Sequence, residues 1–339
     1  MDLTKAFDLI SRSGLFHILK KVGCPPRLLA TVESFHTDMQ STVCYNRATS
    51  KPFPISSDVK QGCVLALTLF GIFSTLLSYA FRNNNGGVYL HTRCLFNLAR
   101  LCAKTKVRRV TIREALFADT AALATHTEAA LQRLVDCLAH ACNEFGLTIS
   151  LKKTEVMSQG TESPPSIHIG DYDLNPVSQF QYLGSTISSS NLSLEPEISA
   201  RIAKAAGMMS KLQKRVWENK NLTNITKMKV YRACILSTLL YSSEAWKTYA
   251  TQEKRLNSFH LRCLQRILGI CWQDLVPNTE VLERAGLPSI FALLAQRRLR
   301  WLGHVRRMDD SRIPKDLLYG ELADGTRSPL PEVQGLVQT

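Results

Sequence analysis

The feature that most constrains this chain is a single carboxylate within an apolar run, Leu116-Phe117-Ala118-Asp119-Thr120-Ala121-Ala122-Leu123. Apolar residues on both sides of Asp119 indicate a buried strand or a tight hairpin. A carboxylate in such a place is costly unless it is hydrogen-bonded or holds a cation. This stretch alone leaves two interpretations open: Asp119 satisfies backbone N–H groups in a turn, or it belongs to a chemical site.

Four other stretches of similar character surround this run. They are Asp2-Leu3-Thr4-Lys5-Ala6-Phe7-Asp8, Val59-Lys60-Gln61-Gly62-Cys63-Val64-Leu65-Ala66, Phe145-Gly146-Leu147-Thr148-Ile149-Ser150-Leu151-Lys152-Lys153-Thr154 and Phe180-Gln181-Tyr182-Leu183-Gly184-Ser185. In this order the five stretches resemble palm motifs A to E of reverse transcriptases, specifically those of non-LTR (LINE-type) retrotransposons. The resemblance runs from the first residue to about Gly325. It implies an RNA-directed DNA polymerase domain, with an RNA template, a DNA primer and dNTP as partners.

The resemblance also implies roles for individual residues. Asp2 and Asp119 match the carboxylates that hold two Mg²⁺ ions, about 3.5–4 Å apart, during nucleotidyl transfer. Phe7 matches the aromatic residue that packs beneath the incoming sugar and discriminates against a 2′-hydroxyl, although ordinary core packing is the other interpretation. Gln61 and Gly62 match positions beside the template and the nascent base pair, where glycine lets the backbone approach closely; a polar turn before a helix is the alternative.

The last implied role belongs to two lysines. Lys152 and Lys153 match motif D, where a basic residue protonates or stabilises the pyrophosphate leaving group. A plain phosphate contact or a solvated pair of side chains explains either lysine equally well. The residues alone do not choose between these interpretations.

Departures from the family pattern bear on activity. Thr120 stands where the family has a second adjacent carboxylate, and a neutral hydroxyl is a poor ligand for a hard cation. The chain starts at motif A, so we expect the fingers strands to be missing. We also expect the strand that carries Asp2 to fray, which would leave a metal ligand badly preorganised. The prediction is an N-terminally truncated, partly degenerate copy that is inactive, with a second chain as a candidate source of the missing parts.

Charge supports a nucleic-acid partner. The chain has 42 Lys and Arg residues against 28 Asp and Glu residues, a net charge of +14. Such a surface favours a polyanion, although a merely basic soluble protein would have the same balance. Two alternatives to polymerisation therefore remain: a non-catalytic protein that binds nucleic acid through a basic surface, and an inert product of a decayed element.

The predicted fold is α+β, in two regions. Short strands and amphipathic helices predict a palm with an antiparallel sheet over residues 1–187, lacking most of the fingers. After a serine-rich linker, helical spacing with interleaved basic residues predicts a thumb-like region and C-terminal region over 195–322. The final residues, 323–339, contain few large apolar groups, so we expect a disordered tail.

The compartment is predicted from what the sequence does not contain. The ten cysteines show no CxxC spacing, and Met1 is followed by charged residues rather than by a signal peptide. No apolar run approaches the eighteen or so residues that a membrane span needs. We therefore expect an intracellular protein of the cytoplasm or nucleus that makes no membrane contact.

Overall fold

The computed structural model describes residues 1–55, 59, 64–79, 81, 86–93, 107–160, 163–189, 194–310 and 312–322. The chain forms two compact units, one of Met1–Val177 with Asp316–Thr339 and one of Ser178–Lys315. Helices and strands are mixed along the chain, which confirms the α+β prediction at this coarse level. Gln61, Gly62 and the predicted tail lie outside the described residues.

The strands are short. They are β1 (Leu3–Thr4), β2 (Gln40–Ser41), β3 (Cys44–Tyr45), β4 (Ala48–Thr49), β5 (Phe53–Pro54), β6 (Val88–Arg93), β7 (Val107–Ile112), β8 (Glu114–Phe117), β9 (Thr120–Leu123), β10 (Thr148–Ile149), β11 (Glu155–Val156), β12 (His168–Ile169), β13 (Tyr172–Asp173), β14 (Asn175–Pro176), β15 (Gln179–Tyr182), β16 (Ser185–Ser188) and β17 (Glu321–Leu322). Most of them pair only in twos, and the antiparallel bridge between Asp2 and Thr120 joins two of these pairs, β8–β9 and β1–β10.

The helices range from a single turn to five turns. They are α1 (Arg12–Lys21), α2 (Pro26–His36), α3 (Val64–Tyr79), α4 (Glu128–Glu144), α5 (Glu195–Lys211), α6 (Asn224–Val230), α7 (Ser237–Leu239), α8 (Ala250–Leu268), α9 (Asn278–Ala285), α10 (Ile290–Arg307) and α11 (Ile313–Tyr319). Within the described ranges, none of them has both the length and the apolar character needed to cross a bilayer.

The first unit is arranged around β1, which is bonded on both edges. Leu3 pairs with Ile149 of β10, and on the other side Asp2 forms an antiparallel bridge with Thr120 of β9. The Leu3 N–H donates to the Asp119 carbonyl at 2.8 Å, and the Ala121 N–H donates to the Met1 carbonyl at 2.9 Å. The prediction that the strand bearing Asp2 frays is therefore wrong, because backbone hydrogen bonds hold it from both sides.

Helices α3 and α4 form the core against these strands. Along α3 the buried positions recur at helical spacing, at Ala66, Leu69, Phe70, Phe73 and Leu77. They join the side chains of Leu3, Leu134 and Leu138 in one apolar cluster. The Thr127 hydroxyl caps α4 by accepting from the Ala130 N–H, and α4 ends just before Gly146, whose φ is +70°. Apolar residues at helical spacing predict a helix over 128–145, and α4 confirms it.

Two local predictions have different outcomes. Runs typical of strands over 42–45 and 51–55 predict a hairpin with its turn near Asn46 and Arg47. The hairpin forms, with its second strand at Ala48–Thr49, and both turn residues have positive φ, as a two-residue hairpin turn requires. Alternating residues over 147–151 predict a strand, and the strand that forms is shorter. Strand β10 ends at Ile149, and the Ser150 carbonyl then accepts from the amides of Lys153 and Thr154. These bonds wind residues 151–153 into a 3₁₀ turn.

The second unit contains the β15–β16 hairpin followed by helices. Its buried core runs from Ile198 to Leu294. The hairpin, which we expected at the end of the region 1–187, contacts α5 and groups with the helices. Strand β17 pairs with β6 and so groups with the first unit. The palm and thumb boundaries stay predictions.

Candidate active site

The β8–β9 hairpin presents Asp119 at its tip. Phe117 pairs with Thr120, so Ala118 and Asp119 form the whole two-residue loop. Ala118 has φ of +49°, at a position where such turns normally use glycine. For an L-residue this backbone region costs about 1–2 kcal/mol. Strain of this kind is characteristic of functional turns, which favours the second of the two interpretations of Asp119.

The bridge between β1 and β9 brings motifs A and C together. Asp2 stands directly opposite Thr120, and the flanking hydrogen bonds join Leu3 to Asp119 and Ala121 to Met1. An antiparallel pair flanked in this way is the type in which opposite side chains lie closest. Asp2 and Thr120 therefore share one face, and Asp119 precedes Thr120 at the turn.

Lys153 is the lysine that reaches this site. Its Nζ lies 3.0 Å from Oδ2 of Asp2. The hydrogen bond and the charge of Asp2 raise the pKa of Lys153, the charge of Asp119 adds to this, and desolvation acts weakly in the other direction. Lys152 lies on the same 3₁₀ turn, and both lysines are exposed, but Lys153 is the one that pairs with Asp2. The structure thus separates two lysines that the sequence could not.

The side chains at this site are of the kind that binds a divalent cation. Magnesium is usually held by one or two carboxylates, completed by water and substrate phosphates. Asp2 and Asp119 supply such oxygen ligands, and Thr120 adds only a neutral hydroxyl. Across the described residues, no group of three His, Cys, Asp or Glu side chains could hold a metal by itself. The site therefore fits a cation that binds together with a phosphate-bearing substrate.

Phe7 joins this region to the helix of motif B. Its ring stacks on Phe70 of α3 with centroids 4.4 Å apart, and its carbonyl accepts from the Val59 N–H at 3.0 Å. The ring is only half-buried. Ordinary packing and a contact with substrate are both compatible with this position, while Gln61 and Gly62 fall in the part of the chain that the structure does not describe.

The comparisons with known proteins agree on one family. The family model described as reverse transcriptase (RNA-dependent DNA polymerase) matches residues 1–187. A putative transposon-derived protein of Caenorhabditis elegans is 28% identical over 211 residues, which cover 58% of this chain and 72% of that protein. The RNA-directed DNA polymerases from mobile element jockey of Drosophila melanogaster and Drosophila funebris are 21% and 22% identical over 287 residues. These matches cover 80% of this chain but only 28% of each jockey protein.

Proposed function

Because this chain belongs to the reverse transcriptase family, we propose that its first unit carries the polymerase site of a LINE-type retrotransposon, with activity held low by Thr120. The resemblance of the five motifs to this family is confirmed by the match over residues 1–187. The observation that carries the proposal is the bridge between Asp2 and Thr120, which puts the acidic residues of motifs A and C at one strand edge. The reaction is addition of dNTP to a DNA primer on an RNA template.

Each residue of the site has a proposed task. Asp2 and Asp119 would hold Mg²⁺, which neutralises the triphosphate and lowers the pKa of the primer 3′-hydroxyl. Lys153, already beside Asp2, stabilises the charge of the departing pyrophosphate. Phe7, supported by its stack on Phe70, excludes the 2′-hydroxyl. Gln61 and Gly62 are proposed to contact the template and the incoming nucleotide, on the resemblance alone.

Loss of the Asp119 carboxylate tests this site. Asp119→Asn is expected to lower primer extension on an RNA template by at least about 100-fold, the usual effect of removing one preorganised electrostatic group. The matched control is Asp171→Asn, which removes an exposed carboxylate from the turn between β12 and β13. Extension would be measured in a Thr120→Asp background, with Mg²⁺ and with Mn²⁺, because the natural chain is expected to extend primers slowly. Equal rates for the two variants would refute the assignment of Asp119.

A second candidate function rests on the charge of the second unit. Residues 178–315 contain 22 Lys and Arg residues against 10 Asp and Glu residues, a net charge of +12 out of the +14 of the chain. Basic surfaces of this kind bind nucleic-acid phosphates without needing catalysis. The chain would then bind nucleic acid and not extend primers.

The salt dependence of nucleic-acid affinity tests this second function. Affinity for an RNA–DNA duplex is expected to fall steeply with salt, by about 10³-fold to 10⁵-fold between 50 and 200 mM if six to ten phosphates are contacted. The measurement is fluorescence anisotropy with a labelled duplex, and Asp119→Asn should bind as tightly as the natural chain. A flat salt response would exclude the basic surface as the binding site.

A further inference from the structure

The turn of the β15–β16 hairpin is strained and exposed. Tyr182 pairs with Ser185, so Leu183 and Gly184 form the two-residue loop, with φ of +49° and +80°. A turn of this shape suits glycine at both places, and at Leu183 a left-handed backbone is unfavourable. The Leu183 side chain is nevertheless 40% exposed. Burial of this side chain therefore does not account for the strained turn.

Two side chains of the same unit hold the carbonyls of this turn. The Tyr241 hydroxyl donates to the Leu183 carbonyl at 3.0 Å, and Nη2 of Arg201 donates to the Gly184 carbonyl at 2.6 Å. The Arg201 guanidinium also lies 4.5 Å from the centroid of the Tyr241 ring. This is within the range of a cation–π contact, so the two donors also brace each other.

Glu197 completes the arrangement. One of its carboxylate oxygens accepts from Nε of Arg201 at 2.7 Å, and the other accepts from the Thr186 N–H at 2.7 Å. Glu197 and Arg201 are only 2% and 5% exposed. A buried ion pair adds little stability relative to an apolar pair unless further hydrogen bonds satisfy it. Here those further bonds all go to the hairpin, so the pair fixes the shape of the turn.

We propose that Glu197, Arg201 and Tyr241, the turn clamp, are positioning residues that hold the Leu183–Gly184 turn in the shape that receives the backbone of the DNA primer strand. This inference rests on the proposed polymerase function and on the resemblance of 180–185 to motif E, the primer-grip hairpin of the family. The clamp residues need not touch the primer. They act through the turn, where the exposed Leu183 side chain and the α-carbon of Gly184 allow close approach of a sugar–phosphate chain.

Two mild variants test the clamp. Tyr241→Phe removes only the bond to the Leu183 carbonyl and keeps the ring beneath Arg201. Arg201→Lys keeps the charge but loses the fixed fork that reaches Glu197 and Gly184 together. Each is expected to raise the KM for primer–template about threefold to tenfold, the range that one hydrogen bond accounts for. The KM for dNTP should stay unchanged, and exchange of the Thr186 amide hydrogen should accelerate in Arg201→Lys.

The matched control is Arg298→Lys, because Arg298 is also tied to several acceptors in this unit, among them Glu253 and Thr248. It should leave the KM for primer–template unchanged. Turnover would be measured in a Thr120→Asp background, and the Kd for the same primer–template would be measured by anisotropy on the natural chain. Faster exchange at Thr186 with unchanged KM and Kd would overturn the inference, as would an equal effect of Arg298→Lys.

The turnover and Kd measurements allow the turn clamp and the proposed function to be tested separately. If the Thr120→Asp chain shows no turnover, the proposal that Thr120 holds the polymerase activity low fails, and the anisotropy measurement still decides the clamp. A Kd that rises about threefold to tenfold in Arg201→Lys and not in Arg298→Lys supports the clamp in that case too. A Kd unchanged in both variants overturns it.

Discussion

Thr120→Asp is expected to raise the rate of primer extension at least about 100-fold above that of the natural chain. The reason is the position of Thr120, directly opposite Asp2 in the bridge between β1 and β9. In a pair of this kind the Cβ atoms lie about 4.5–5.5 Å apart on one face. A carboxylate at residue 120 would therefore join Asp2 and Asp119 around the same cation, where the threonine offers only a hydroxyl.

The same geometry predicts a second effect that needs no turnover. Like charges directly opposite each other across two strands are destabilising, so without divalent cations Thr120→Asp should melt at a lower temperature than the natural chain. Added Mn²⁺ should reverse this loss, because a cation that binds only the folded state stabilises it. The natural chain should respond less to Mn²⁺, since it has one carboxylate fewer.

Thr120→Asn is the control, because it matches the size of Asp and lacks its charge. It should gain neither activity nor the response to Mn²⁺. Equal activity of Thr120→Asn and Thr120→Asp would show that side-chain shape, and not charge, limits the natural chain. Absence of extension in every variant, with normal Mn²⁺ binding, would mean that Thr120 is not what limits activity.

The resemblance of the five ordered motifs predicted that Asp2 and Asp119 serve one site. The structure brings the backbone of Asp2 beside Thr120, the residue that follows Asp119. Fraying at Asp2 was predicted from chain position alone, and it is wrong because partners far along the chain, Asp119 and Ser150, bond to this strand. Such long-range pairing leaves no local pattern in the sequence.

The turn clamp is a second feature that the sequence alone does not predict. Glu197 and Arg201 are four residues apart, the spacing of an ordinary helical ion pair on a solvated surface. Charged residues at this spacing are usually exposed, whereas the structure buries both. The burial depends on the position of the hairpin, whose Gly184 carbonyl and Thr186 amide bond to them. The sequence does not single out this pair, and only the fold gives it these partners.

The second large effect expected is loss of stability in acid, caused by a histidine in the core of the second unit. His260 is fully buried, and its Nδ1 lies 2.9 Å from the Tyr231 hydroxyl. Burial lowers the pKa of His260 to about 4, and the nearby Pro288 backbone opposes this by a smaller amount. The neighbouring Cys263 and Tyr231 have pKa values raised by burial, so both stay neutral.

The direction in which stability changes with pH follows from the number of protons that each state binds. Between pH 6.5 and 4 the unfolded chain binds a proton at His260 and the folded chain does not, so stability falls as the pH falls through this window. A shift from 6.5 to about 4 corresponds to about 3 kcal/mol. This contribution is complete above pH 6.5 and is lost by about pH 4, whereas a histidine paired with a carboxylate would show the opposite trend.

Urea unfolding followed by tryptophan fluorescence suits this test, because all four tryptophans, at 217, 246, 272 and 301, lie in the second unit. The free energy of unfolding should fall by about 3 kcal/mol more in the natural chain than in His260→Gln between pH 6.5 and 4. His304→Gln, which removes an exposed histidine from α10, should keep the full pH dependence. If His260→Gln and the natural chain lose stability in parallel over this range, His260 is not the group that responds to acid, and its burial is tolerated with a proton bound.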